Sequence, residues 1–255
     1  MSTAEKVRSD IRKMKPGTVF LVSDLEAYKE SKSATTKALA YFIKKDEKND
    51  NSSIGKIADG LFYKVEKSRF GNLPPSYREV IHALTYRNKR KVGYTVGPSL
   101  FNKKGLSTQV PSVVTIITSK NAPHHIDAYG IKIEVKRTRE KVREKDIARY
   151  ELEYILNNIS KIQDFEGCSL SESLEEYIQH IVDDSRNLRK LYNHLSYKKT
   201  KALFGAILDD YQEKHDANFE GFLSEIRSDL SIRSHYRLGS LSRYIKNKDE
   251  WNITF

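Results

Sequence analysis

Cysteine is almost missing from this chain: Cys168 stands alone among 255 residues. That excludes an intrachain disulfide and any zinc site built on several thiolates, and it fits a reducing cytoplasm. Long apolar runs are missing too. No stretch approaches the ~18 residues of a membrane-spanning helix, and Met1-Ser2-Thr3-Ala4-Glu5-Lys6 has none of the apolar character of a signal peptide. The expectation is a cytoplasmic protein that engages no membrane. Internal repeats and low-complexity tracts are not found. Nor is a phosphate-cradling glycine loop, since Gly93 and Gly97 lack a following Lys-Ser pair and a suitable helix start.

Charge is plentiful and uneven. The net charge is +11. Residues 1–70 carry +5, 71–150 carry +10 and 151–255 carry −4. A basic front suits a polyanion, whereas a mildly acidic back suits a protein. Hydrophobic residues make up 38 %, enough for a packed core in one large domain or two ordinary ones.

The most informative stretch is Gly55-Lys56-Ile57-Ala58-Asp59-Gly60-Leu61-Phe62-Tyr63-Lys64. Asp59-Gly60 sits between two strand patterns, 54–58 and 61–65, where a tight hairpin turn belongs. Three helix patterns precede it. Residues 3–14 carry Val7, Ile11 and Met14 at helical spacing, capped by Thr3 and stopped by Pro16-Gly17. A short extended piece, 18–22, leads to a short helix over 25–28. The third helix covers 34–45. With Ala38 at the centre of its inner face, Ala34, Tyr41, Phe42 and Lys45 point inward. Ser33, Thr36, Lys37, Ala40 and Lys44 then point outward, and Lys32 and Thr35 are further candidates for DNA contact. That face has no glutamate and can enter a major groove. Helices followed by a basic ribbon spell a winged helix-turn-helix over residues 1–70. Lys56, Lys64 and Lys67 would lie on the wing and touch phosphate. A polar gap over 46–53 separates helix from wing. Residues 68–76, which include Arg69, read as a proline-broken linker.

Residues 71–138 read as a small mixed α/β unit. Ser76 caps a helix, a helix runs over 98–103, and β-branched 113–118 is a buried strand. Ile131, Ile133 and Val135 alternate with charges on a half-exposed strand. The basic run Arg87-Asn88-Lys89-Arg90-Lys91 would offer Lys89 and Arg90 to flanking phosphates. Residues 139–255 read as helical, possibly continuous with the second domain. The fold class is therefore α+β. The stripes of this back, with Tyr177, Tyr192, Tyr197 and Tyr211 taken as surface aromatics, suit protein contact, including pairing into a homodimer.

Gly60-Leu61-Phe62-Tyr63, Ser68-Arg69-Phe70-Gly71, Gly93-Tyr94-Thr95-Val96-Gly97 and Gly105-Leu106-Ser107-Thr108-Gln109-Val110-Pro111 follow in order. This resembles the AbiEi-like antitoxins of type IV toxin–antitoxin systems over residues 5–137. Phe62 stands where that family commonly has tyrosine, and the gap before the wing is longer than usual. The resemblance implies a winged helix that binds inverted repeats in double-stranded DNA and represses its own operon. It also implies a nucleotidyltransferase-like toxin as functional partner, without a stable complex.

Residues with catalytic chemistry are few. Asp127, Glu134 and Lys136 match the carboxylates and lysine of a metal-dependent nuclease, the alternative function. An alternating strand also places charges two apart on one face. His124-His125-x-Asp127 reads as a solvated turn, and Cys168 as an inert thiol. Asp183-Asp184 and Asp209-Asp210 read as solvated helix faces. No cofactor, no metal and no catalytic residue is expected, so the chain is read as a non-enzymatic protein.

Overall fold

The computed structural model describes residues 1–48, 53–162, 164–231 and 233–255, with side chains described only to residue 44 in the first of these segments. Of the gap expected over 46–53, residues 46–48 continue the third helix and 49–52 lie outside the described residues, as does the side chain of Lys45. The fold is α+β. It divides into two compact units, Met1–Thr95 with Ser112–Glu144 and Val96–Pro111 with Lys145–Phe255. Among the described residues no helix is long and apolar enough to cross a membrane.

The first unit opens with α1, Thr3–Lys13. Its cap is Ser2, one residue ahead of the expected Thr3. The Ser2 hydroxyl accepts from the Glu5 amide and the Glu5 carboxylate accepts from the Ser2 amide, a reciprocal capping box. Strand β1, Val19–Leu21, a 3-10 turn over Val22–Asp24, and α2, Glu26–Glu30, follow. Helix α3 runs Lys32–Lys48, with the Ser31 hydroxyl accepting from the Ala34 amide at its start. Strands β2, Ile54–Ala58, and β3, Leu61–Lys64, form the expected hairpin. Gly60 takes φ +78° in its turn, a conformation that side chains disfavour. The antiparallel sheet has the order β1-β3-β2.

Both faces of this sheet are covered. Phe20, Ile54 and Phe62 pack with Val7, Ile11, Leu25, Ala27, Leu39 and Phe42 of the three helices. Val19, Leu21, Leu61 and Tyr63 face the other way, into a core with Val80, Leu84, Ile116, Ile133 and Val135. Strands buried on two sides read as continuous apolar runs, as 19–21 and 61–63 do. One core thus spans residue 70, where the sequence suggested a boundary. The linker expected over 68–76 also begins as structure. Strands β4, Glu66–Ser68, and β5, Gly71–Leu73, form a hairpin. Helix α4, Tyr77–Thr85, is capped by Ser76 as expected. Strands β6, Tyr86–Arg87, and β7, Arg90–Lys91, make a tight turn whose Asn88 and Lys89 both take positive φ. Strands β8, Gly93–Val96, β9, Val114–Thr118, β10, His125–Ala128, and β11, Ile131–Arg137, complete a second sheet of order β10-β11-β9-β8.

The second unit is helical. It takes in α5, Pro98–Lys103, and the Gly105–Pro111 box, because Leu100, Phe101 and Leu106 belong to its core. The expected 71–138 unit is therefore divided. Helices α6, Ile147–Asn157, α7, Leu170–Val182, α8, Ser185–His194, α9, Lys198–His215, and α10, Glu220–Asp229, follow. Strands β12, Tyr236–Arg237, and β13, Ile253–Thr254, pair in parallel near the C-terminus. Helix α9 is the axis of the core and is buried from Ala202 to Tyr211. Asp209 and Asp210 lie in that run, not on a solvated face. Asp209 accepts from Trp251 Nε1 at 3.0 Å and pairs with Arg227 at 3.2 Å. Asp210 accepts from the Ser171 hydroxyl and is flanked by Lys214 and Lys246, each at 3.4 Å. Tyr177, Tyr192 and Tyr211, expected at the surface, are buried in the same core, and only Tyr197 of the four is exposed.

Candidate nucleic-acid interface

Helix α3 presents its exposed face because Leu39, Phe42 and Thr35 anchor the other one. This rotates the helix from the orientation expected with Ala38 at its inner centre. Thr35 is fully buried and its hydroxyl donates to the Ser31 carbonyl at 2.8 Å, so it leaves the set of DNA-contact candidates. Tyr41 moves the other way, from the expected inner face to 58 % exposure. Lys32, Ser33, Thr36, Lys37, Ala40 and Lys44 are exposed as expected. The Thr36 hydroxyl is occupied by the Lys32 carbonyl at 3.0 Å, and the Lys32 ammonium lies over the Tyr28 ring. Among the described residues, no carboxylate pairs with Lys37 or Lys44.

The hairpin lysines separate. Lys56 is exposed near the turn and pairs with Asp59 at 2.6 Å. Lys64 instead lies at the base of the hairpin. Its ammonium donates to the carbonyls of Met14, at 2.6 Å, and Arg12, at 3.2 Å. It satisfies the open carbonyl end of α1 and so serves as a helix cap rather than a phosphate contact. Arg69 and Phe70 share the tip of the β4–β5 hairpin, with the guanidinium 4.9 Å from the ring centroid. Lys89 and Arg90 are exposed at the β6–β7 turn.

The Gly-Leu-Phe-Tyr motif is explained by packing. Leu61 is in the core and Phe62 stacks near Phe20, where a phenol would have no use. The Tyr63 ring covers Gly55 so closely that a Cβ there would lie 2.0 Å from it. Burial pushes the Tyr63 phenol well above its ordinary range. In the Gly105–Pro111 box, the Ser107 and Thr108 hydroxyls donate to Asp164 at 2.8 and 2.7 Å and hold its carboxyl below the usual carboxylate range.

A buried ion pair supports the first unit and was not visible in the sequence. Lys120 Nζ lies 3.2 Å from Asp24 Oδ2 and 3.0 Å from the Ala83 carbonyl. The partners are 96 residues apart.

The nuclease set lies on the open face of the second sheet. Asp127 stands opposite Lys132, 3.9 Å away, and Glu134 stands opposite His125. His124 Nδ1 is 3.3 Å from the Val135 carbonyl. No group of three histidine, cysteine, aspartate or glutamate residues suited to hold a metal ion occurs among the described residues. Cys168 is exposed.

With this geometry the chain falls among α+β proteins whose exposed basic helix lies beside an antiparallel hairpin. Residues 6–190 match a family described as a family of unknown function, DUF6088, and the chain belongs to it. The chain is also similar to the spindle pole body protein pcp1 of Schizosaccharomyces pombe, 22 % identical over 237 residues. That alignment takes in 88 % of this chain and 19 % of the yeast protein, so the chain spans about a fifth of its length. No solved structure matches the chain.

Proposed function

We propose that the chain is a DNA-binding antitoxin and autorepressor of a type IV toxin–antitoxin operon, opposing a nucleotidyltransferase-like toxin in the cytoplasm. Its first three helices and the β1-β3-β2 sheet are read as a winged helix-turn-helix. The observation that carries this reading is the exposed face of α3: Lys37 and Lys44, free of carboxylate partners among the described residues, on a helix fixed by buried Leu39 and Phe42. A helix of this diameter fits a major groove, and the adjacent hairpin suits phosphate contact. Lys32, Ser33, Thr36, Lys37 and Lys44 line the face of α3 turned to the groove, with Lys37 and Lys44 reaching phosphates at its edges, Lys56 meets the backbone, and Arg69, Lys89 and Arg90 flanking phosphates. The antitoxin role rests on the motif resemblance. Operators with inverted repeats call for two copies of the chain, one on each half-site.

Full-length protein is titrated onto duplex DNA from upstream of its own gene at rising salt. Phosphate neutralisation releases condensed counterions, so affinity should fall by roughly 10³ or more between about 50 and 200 mM salt. Folded protein with no affinity at low salt overturns the reading. Magnesium-dependent cleavage of plasmid DNA, abolished by Glu134→Ala with Lys136→Ala, establishes the nuclease alternative instead.

A further inference from the structure

We infer that Tyr41 is a base-reading residue of α3, packing its ring on a thymine methyl in the major groove while Lys37 and Lys44 hold the flanking backbone. The inference rests on the DNA-binding reading above and goes beyond it by naming the side chain that discriminates sequence.

Lys37, Tyr41 and Lys44 follow one another at spacings of four and three, so they form one stripe along the helix. Tyr41 is 58 % exposed in the middle of that stripe, although its neighbour Phe42 is buried in the core. Ala34 lies on the same stripe and Ala40 beside it. These small side chains leave the phenol ring standing above its surroundings. The ring is also held in place. It meets Phe42 edge-on with centroids 5.9 Å apart, and the Arg8 guanidinium lies over the Phe42 ring at 5.1 Å. A braced ring loses little rotamer freedom on binding, which favours it over the lysines as a reading element. Its hydroxyl makes no hydrogen bond to any described residue.

The ligand chemistry follows from the neighbours. Lysine ammonium groups on either side suit phosphate, and they carry no sequence information there. The Thr36 hydroxyl donates to the Lys32 carbonyl, so it meets a base edge only as an acceptor. The ring is a large exposed apolar group on this stripe and suits the thymine C5-methyl, the apolar feature that marks this base in the major groove.

The test uses the full-length protein and duplexes that it selects from a random pool. Wild type should prefer the selected duplex over a scrambled one. Tyr41→Ala should lower affinity for the selected duplex about tenfold, in line with one good base contact, and leave the scrambled duplex within about twofold. Tyr41→Phe should keep most of the preference. Replacing thymine by uracil at the contacted position should weaken wild type and leave Tyr41→Ala unchanged. Wild type that binds no duplex refutes the DNA-binding reading itself. DNA binding without any selected sequence, a Tyr41→Ala protein that keeps its preference, or indifference to uracil at every position overturns the role of Tyr41 alone.

Discussion

The ammonium of Lys120 stands 3.2 Å from the carboxylate of Asp24, inside a unit where the lysine side chain is only 5 % exposed. Asp24 also accepts from the Leu21 amide at 3.0 Å and lies 3.9 Å from Arg87. Burial lowers the Lys120 pKa, and Asp24 opposes that shift. The pair joins the turn before α2 to the bend that follows β9. Removing Asp24 should cost more than removing Lys120. Asp24→Ala leaves a buried ammonium without a counter-charge, a loss of about 3–5 kcal/mol. Lys120→Met keeps the length and leaves an aspartate that is 23 % exposed and still bonded to Leu21. Urea unfolding of both variants measures the difference, and equal losses would contradict this asymmetry.

Lys56 and Lys64 should give opposite phenotypes although both lie on the hairpin. Lys64→Ala strips the donor from the Arg12 and Met14 carbonyls and should lower stability by about 1–2 kcal/mol, with little change in the salt slope of DNA binding. Lys56→Ala should leave unfolding within about 0.5 kcal/mol and reduce that slope by about 1. Binding titrations at several salt concentrations, beside unfolding curves, check both. A salt slope altered by Lys64→Ala alone would return that lysine to the interface.

Local signals were legible where they were self-sufficient. Asp59-Gly60 located its hairpin, Ser76 its helix, and Pro98 the start of a helix that ends at Lys103 as expected. Periodicity shows that α3 has two faces, but not which way it is rotated. Taking Ala38 instead of Leu39 as the inner centre turns Tyr41 inward and leaves Thr35 at the margin, where the Leu39 centre buries it. Partners distant in sequence were invisible. Asp209 looks solvated until Trp251 is placed against it, 42 residues on, and Lys64 looks like a wing residue until α1 ends beside it. Tyr177 and Tyr192 were assigned to the surface by composition, yet each has a carboxylate partner that makes its burial tolerable.

Gly205 of α9 should resist the substitution that helix propensity favours. Alanine is worth about 1 kcal/mol over glycine in an open helix interior. Here its Cβ would lie 2.2 Å from Trp251 Cζ3, against a ring that is 1 % exposed. Gly205→Ala should therefore destabilise by about 1–3 kcal/mol net. It should also shift Trp251 fluorescence to the red as the indole leaves Asp209. Trp251 is the only tryptophan of the chain, so the signal is unambiguous. Unchanged emission with unchanged or raised stability would show that the C-terminal segment does not pack as described.

Tyr177 sets the alkaline limit of the helical unit. Its hydroxyl donates to Glu151 at 2.6 Å with both groups buried, and burial, then the hydrogen bond to Glu151, raises its pKa far above the ordinary tyrosine value of 10.0. Tyr192 is raised for the same kind of reason, with Asp229 as its partner. A group whose folded pKa exceeds its unfolded one contributes stability that is complete below the unfolded value and lost as pH climbs beyond it. These tyrosines therefore destabilise the fold above about pH 10. Lys120 acts in the opposite sense. Its folded pKa is lowered, so its contribution grows as pH rises toward the unfolded lysine value of 10.5. The two effects occupy adjoining windows, and beyond about pH 10.5 only the tyrosine loss continues. Tyr177→Phe should lower stability near neutrality by about 1–3 kcal/mol, because Glu151 is left buried without a donor. It should also flatten the decline in stability above about pH 10, since one titrating phenol is gone. Urea midpoints from about pH 8 to about pH 11 for wild type and variant measure both effects. Parallel curves would show that the Tyr177 phenol does not govern alkaline unfolding.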